Sequence, residues 1–89
     1  MNVNVNDAIR EIEQALEGVQ TTLDALRAGG QDEAAFEIAR LQFSASIRAS
    51  WPGNLLPLAD ALERAAPKLD GEKAEIARRS AATFRKVVG

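Results

Sequence analysis

Carboxylate side chains one helical turn apart are the groups in this 89-residue sequence whose type and spacing suit acid–base catalysis or metal binding. Two such groups on one helix face can act as an acid and a base, or can share a cation. The pairs are Glu13 with Glu17, Glu33 with Glu37, and Asp60 with Glu63. The sequence contains no His and no Cys, so the Glu-x-x-His motif of a di-iron bundle and the usual ligands of zinc are excluded. Because any acidic helix carries such pairs, we predict neither a metal site nor a cofactor.

The serine hydroxyls are candidate nucleophiles, and each would need a neighbouring base to be activated. The commonest base, His, is absent. We therefore interpret the helical serines as small packing residues; they are Ser44, Ser46, Ser50 and Ser80. The Gly29-Gly30 dipeptide precedes a predicted helix but lacks the Lys-Ser/Thr pair of a phosphate-binding loop. The sequence thus predicts that the chain is not an enzyme, and no small-molecule substrate is evident.

The length and charge of the chain indicate one small domain with an acidic body and a basic end. Residues 67–89 carry six basic and three acidic side chains, whereas the rest of the chain carries five basic and ten acidic ones. A core of this size leaves a small stability margin, and without Cys no disulfide can add to it, so we expect oligomerisation to bury further surface. The sequence has no apolar stretch long enough to span a membrane, and its first residues lack the pattern of a secretory signal. We therefore expect a cytoplasmic protein.

Apolar residues recur every three or four positions along most of the chain, which is typical of amphipathic helices. In the first helix they are Ile9, Ile12, Leu16, Val19, Leu23 and Leu26. The pattern predicts four helices, at about residues 7–28, 32–50, 55–66 and 71–87. Short connections favour an all-α fold, a small antiparallel bundle able to assemble into a larger oligomeric bundle. A flexible arm at residues 1–6 would precede this single domain at residues 7–89.

Glycine, proline and capping residues mark the predicted helix ends. Gly29-Gly30 ends the first helix, and Pro52-Gly53 ends the second. The expected N-caps are Asn6, Asp32, Asn54 and Asp70. Pro67 either ends the third helix near Ala66 or bends it there. In the alternative with a bend, the chain forms a long helical hairpin whose first two helices pair between chains.

The three phenylalanines occupy positions that predict burial. In the second helix Phe36 and Phe43 share one side with Ile47, while Ile38, Leu41 and Ala45 broaden the apolar surface. The sequence therefore predicts that this helix packs into the core against two neighbours. Phe84 continues the Ala-rich stripe of the last helix and is also a predicted core residue.

The basic end offers two interpretations. Arg78, Arg79 and Arg85 can bind an acidic partner, or Arg78 and Arg85 can pair within the chain with acidic residues of the first helix; these are Glu13, Glu17 and Asp24. Arg79 follows Glu75 by four residues, which predicts an ion pair on the helix surface. DNA binding is disfavoured because the chain is acidic overall and its phenylalanines are predicted to be buried.

The stretch "ASWPGNLL", at residues 49–56, holds the only Trp of the sequence. A Trp beside Leu at a helix corner is typical of an interface anchor; alternatively, Trp51 covers the open end of the bundle. We predict a non-enzymatic protein–protein interaction module, an adaptor, regulatory or assembly subunit, that self-associates through surplus apolar surface. The predicted partner-binding residues are Trp51, Leu55, Leu56, Arg78, Arg79 and Arg85. A regulator or inhibitor that binds a protein of nucleic-acid machinery is an alternative.

The Trp51-Pro52-Gly53 tripeptide lies near the middle of a Cys-free helical chain. In this respect the sequence resembles the small Trp-x-Gly proteins exported by type VII secretion systems. The resemblance implies a secreted protein that folds as a two-helix hairpin, with the tripeptide at its bend and a dimer that forms a four-helix bundle.

Overall fold

The computed structural model describes residues 5–47 and 55–88, and this part of the chain is built from four α-helices and no strands. The helices are α1 (Val5–Ala28), α2 (Asp32–Ile47), α3 (Leu55–Ala65) and α4 (Gly71–Val88), and a short 3-10 helix at Ala66–Lys68 follows α3. The predicted all-α bundle is confirmed. None of these helices is long and apolar enough to cross a membrane.

The four helices run antiparallel to their neighbours around a common core. Lys86 at the end of α4 pairs with Glu11 at the start of α1, and Arg64 at the end of α3 pairs with Glu37 in the first half of α2. The broadest contacts join α4 to α1 and to α3, whereas α2 packs less extensively against α1 and α3. Consequently α2 contributes less to the packing between helices than α4 does.

The turn between α1 and α2 ends the first helix as predicted. Gly30 adopts a positive φ of 78°, and its N–H donates to the carbonyl of Arg27. The N–H of Gln31 donates to the carbonyl of Leu26 at 2.8 Å. These two bonds form a Schellman motif, in which a glycine supplies the left-handed conformation that other residues rarely adopt.

Of the four predicted N-caps, one is confirmed, two are wrong and one lies outside the described residues. Asp70 caps α4, since its Oδ1 accepts from the N–H of Lys73 at 3.4 Å. The predictions for Asn6 and Asp32 are wrong, because α1 begins at Val5 and α2 at Asp32, so both residues lie inside the first turn. At α2 the preceding Gln31 provides the carbonyl that accepts from the N–H of Ala35. Asn54 and predicted helical residues 48–50 lie outside the described residues.

Pro67 ends a helix and does not bend one. The α3 helix stops at Ala65, and Pro67 lies in the 3-10 helix that leads to Asp70. The long helical hairpin is therefore wrong, and so is the two-helix hairpin implied by the type VII resemblance, because the described chain breaks at Gly29-Gly30 and again at Pro67.

The core consists mainly of leucine and alanine, with Phe84 as its aromatic side chain. Phe84, Leu26, Leu58 and Leu62 are fully buried, and the small residue Ala81 of α4 belongs to the same core cluster. The α1 stripe is buried through its second half, at Val19, Leu23 and Leu26, while Ile9 near its start remains 47% exposed. The predicted burial of Phe84 is confirmed.

The predicted burial of the other two phenylalanines is wrong. Phe36 and Phe43 are 69% and 67% exposed. The α2 helix instead buries its opposite side, with Ala35 and Ile38 in the core. Both sides of α2 are apolar, and only one of them can face the bundle.

Candidate interaction surface

The exposed phenylalanines lie on one strip of α2. Phe36 and Phe43 are seven residues apart, so they are two helical turns and about 10 Å from one another along the axis. Arg40 lies between them on the same strip and is also exposed. Asp32 and Glu33 extend the strip toward the start of the helix, and both are exposed. We call these five residues, Asp32, Glu33, Phe36, Arg40 and Phe43, the outer face of α2.

The charges of the outer face are separated along the helix. Its start carries the carboxylates of Asp32 and Glu33, whereas Arg40 supplies the positive charge between the two rings. Within residues 5–47 and 55–88, none of these three charged side chains forms an ion pair. The neighbouring Glu37, by contrast, pairs with Arg64 of α3 at 2.8 Å and lies at the edge of the face.

Leu55 and Leu56, two predicted partner-binding residues at the start of α3, differ in their exposure to solvent. Leu55 is fully buried and belongs to the core cluster. Leu56, the next residue, is 38% exposed. Trp51 lies outside the described residues. Of the two leucines, only Leu56 therefore presents apolar surface to solvent.

Arg85 is held by α3. Its Nε donates to Oε1 of Glu63 at 2.8 Å, its Nη2 donates to Oδ1 of Asp60 at 2.5 Å, and Nη2 also contacts Glu63. The hydrogen bonds that the Arg85 guanidinium donates, first to Asp60 and then to Glu63, raise its pKa above the ordinary value. The Asp60–Glu63 carboxylate pair thus binds a guanidinium of the same chain.

The other predicted arginines pair within α4. Arg79 lies 3.8 Å from Glu75, as predicted, and Arg78 lies 3.9 Å from the same residue. The prediction that Arg78 and Arg85 pair with α1 is wrong: Arg85 reaches the α3 side of α4, and Lys86, one residue further, reaches Glu11 of α1. These side chains are between 42% and 73% exposed, so each pair is screened by water and contributes little to stability.

The remaining carboxylates do not gather into a chelating cluster. Over the described parts of the chain, no group of three acidic side chains is arranged to hold a metal ion. The Glu33–Glu37 pair is divided, since Glu37 binds Arg64 while Glu33 belongs to the outer face of α2.

The close contact between α1 and α4 depends on a residue that the sequence predictions missed. Gly18 is buried in the middle of α1, where a Cβ atom would lie 2.0 Å from the Oγ of Ser80 on α4. A helix with glycine in its interior is less stable than the same helix with alanine there, by roughly 0.5–1 kcal/mol. The presence of this glycine inside an otherwise regular helix was the available signal that another helix approaches there.

The described residues, 5–47 and 55–88, form a small antiparallel four-helix bundle. Comparison with protein-family models, with curated proteins and with solved structures found no match. The outer face of α2 is therefore interpreted from its own geometry and charge.

Proposed function

We propose that this chain is a non-enzymatic protein–protein interaction module, an adaptor or assembly subunit, that binds its partner through the outer face of α2. The observation that carries the proposal is the exposure of two aromatic rings on one strip of one helix, with Phe36 at 69% and Phe43 at 67%. Single exposed apolar residues are common on protein surfaces, but clustered ones mark contact sites.

The burial that these rings can gain is large for so small a surface. A phenylalanine buries 150–250 Å² when it is covered completely, so each ring leaves roughly 130 Å² in water. At about 25 cal/mol per Å², covering each ring stabilises a complex by about 3 kcal/mol before the entropy of association is subtracted. Arg40 suits the same role, because arginine is enriched at interfaces and its guanidinium stacks on aromatic rings.

Photo-crosslinking from the outer face tests the proposal. A photoreactive phenylalanine analogue at position 43 should give discrete protein adducts in an extract of cells that express the chain. The same analogue at Ala82, an exposed position on α4, should give none. Phe36→Gln should abolish the adducts from position 43 by removing the second ring of the strip, while circular dichroism should show an unchanged helical fold.

Ile9→Gln is the matched control, because it removes an exposed apolar side chain that lies outside the outer face. It should leave the adducts from position 43 intact. Equal adduct patterns from positions 43 and 82, or adducts from position 43 that persist in Phe36→Gln, would contradict the proposed contact surface.

A further inference from the structure

We propose that the partner of the outer face of α2 is a second copy of this chain, packed antiparallel across a twofold axis at the level of Ile38. This inference rests on the proposed function and adds to it the identity of the partner and the direction of packing.

The charge distribution of the outer face favours an antiparallel copy. Glu33 and Arg40 are exposed, lie seven residues apart on the same strip, and form no ion pair within residues 5–47 and 55–88. When a second helix runs in the opposite direction, the acidic start of each strip lies beside the Arg40 of the other. A parallel copy would instead place Glu33 on Glu33 and Arg40 on Arg40, and like charges at an interface oppose association.

The aromatic rings fit the same register. With the axis at the level of Ile38, each Phe36 lies opposite the Arg40 of the other chain, and each Phe43 lies opposite the other Glu33. The guanidinium can then stack on the Phe36 ring while its charge reaches Glu33, one helical turn away. Each Arg40 can therefore contact both the Phe36 ring and the Glu33 carboxylate of the facing chain.

A second copy would also cover the whole outer face of α2. A twofold contact uses the same surface on both chains, so both outer faces are covered in one step. A head-to-tail contact would need a second apolar surface elsewhere, and the other large apolar residues exposed in the described chain, Ile9 and Leu56, belong to different helices. A contact confined to two helix faces lies at the low end of the size range of specific interfaces, and we expect a reversible dimer in the micromolar range.

Sedimentation equilibrium of the purified full chain with charge variants tests the inference. The unmodified chain should approach twice its 9.6 kDa mass as its concentration rises. Arg40→Glu should weaken the dimer by at least about tenfold, because it places a carboxylate against Glu33 of the other chain. The double variant Glu33→Arg/Arg40→Glu should restore dimerisation, since it exchanges the two charges and positions 33 and 40 of the facing chains again carry opposite signs.

Arg10→Glu is the matched control, because it changes the net charge equally at an exposed α1 position away from the outer face. It should leave the dimer unchanged. A double variant as weak as Arg40→Glu, or an equal loss in Arg10→Glu, would overturn the antiparallel pairing. A chain that stays monomeric while position 43 crosslinks another protein would overturn the second-copy inference and leave the proposed function standing. Absence of discrete adducts from position 43 would overturn both.

Discussion

Phe84→Ala should lower the free energy of unfolding by about 3–5 kcal/mol, whereas the same substitution at Phe36 should change it by less than about 0.5 kcal/mol. Phe84 is fully buried in the core cluster, so its removal leaves a cavity in addition to the lost burial. Phe36 is 69% exposed, and alanine is the better helix former at such a position. Because small domains are stable by only about 5–15 kcal/mol, Phe84→Ala should remove a large part of the free energy of unfolding.

Urea unfolding followed by circular dichroism measures this difference. It should be run at a protein concentration low enough to keep the chain monomeric, so that loss of association does not add to the result. Phe43→Ala serves as the second exposed variant and should behave as Phe36→Ala does. A loss of several kcal/mol in either exposed variant would show that α2 buries its phenylalanines, and would remove the basis of the proposed interaction surface.

Gly18→Ala should destabilise the chain by about 1–2 kcal/mol, and Ser80→Ala should rescue it. A methyl group at position 18 would lie 2.0 Å from the Ser80 Oγ, but 3.4 Å from the Ser80 Cβ and from the Ile76 Cγ2. Removing the hydroxyl therefore leaves room for the methyl group. The double variant should be at least as stable as the unmodified chain, since alanine also gains roughly 0.5–1 kcal/mol of helix stability over glycine.

The four proteins of this double-mutant cycle can be compared by their denaturant midpoints. Gly71→Ala is the control without a clash, because Gly71 is the first residue of α4 and a Cβ there would meet no atom within 4 Å. It should be neutral or slightly stabilising. If Gly18→Ala were as well tolerated as Gly71→Ala, the close approach of α1 and α4 would be wrong.

The helix ends were largely predictable because they depend on interactions within a few residues. Each signal acts within its own turn of the chain. Gly30 adopts a positive φ, Asp70 accepts a hydrogen bond from the Lys73 N–H, and Pro67 lacks a backbone donor. Such signals determined three of the helix ends and the all-α class. They locate an end only to within a residue or two, which is why Asn6 and Asp32 lie one or two positions inside their helices.

The direction in which α2 faces was not predictable from its sequence. A periodic pattern shows which residues share a side, and Phe36 with Phe43 form as good an apolar side as Ala35 with Ile38. The choice between them depends on which side meets the surfaces of α1 and α3. The buried side carries the small residue Ala35, while the bulky rings remain outside.

The sequence by itself determined that this protein lacks Cys and His and that residues 5–47 and 55–88 form four helices, because composition and local turn chemistry are properties of the chain alone. Only the tertiary structure decided which phenylalanines face solvent, that Arg85 binds Asp60 and Glu63 of α3, and that Gly18 faces Ser80. These contacts join residues far apart in sequence. Their identity depends on how each helix is rotated about its axis in the bundle, and the spacing of residues along one helix does not specify that rotation.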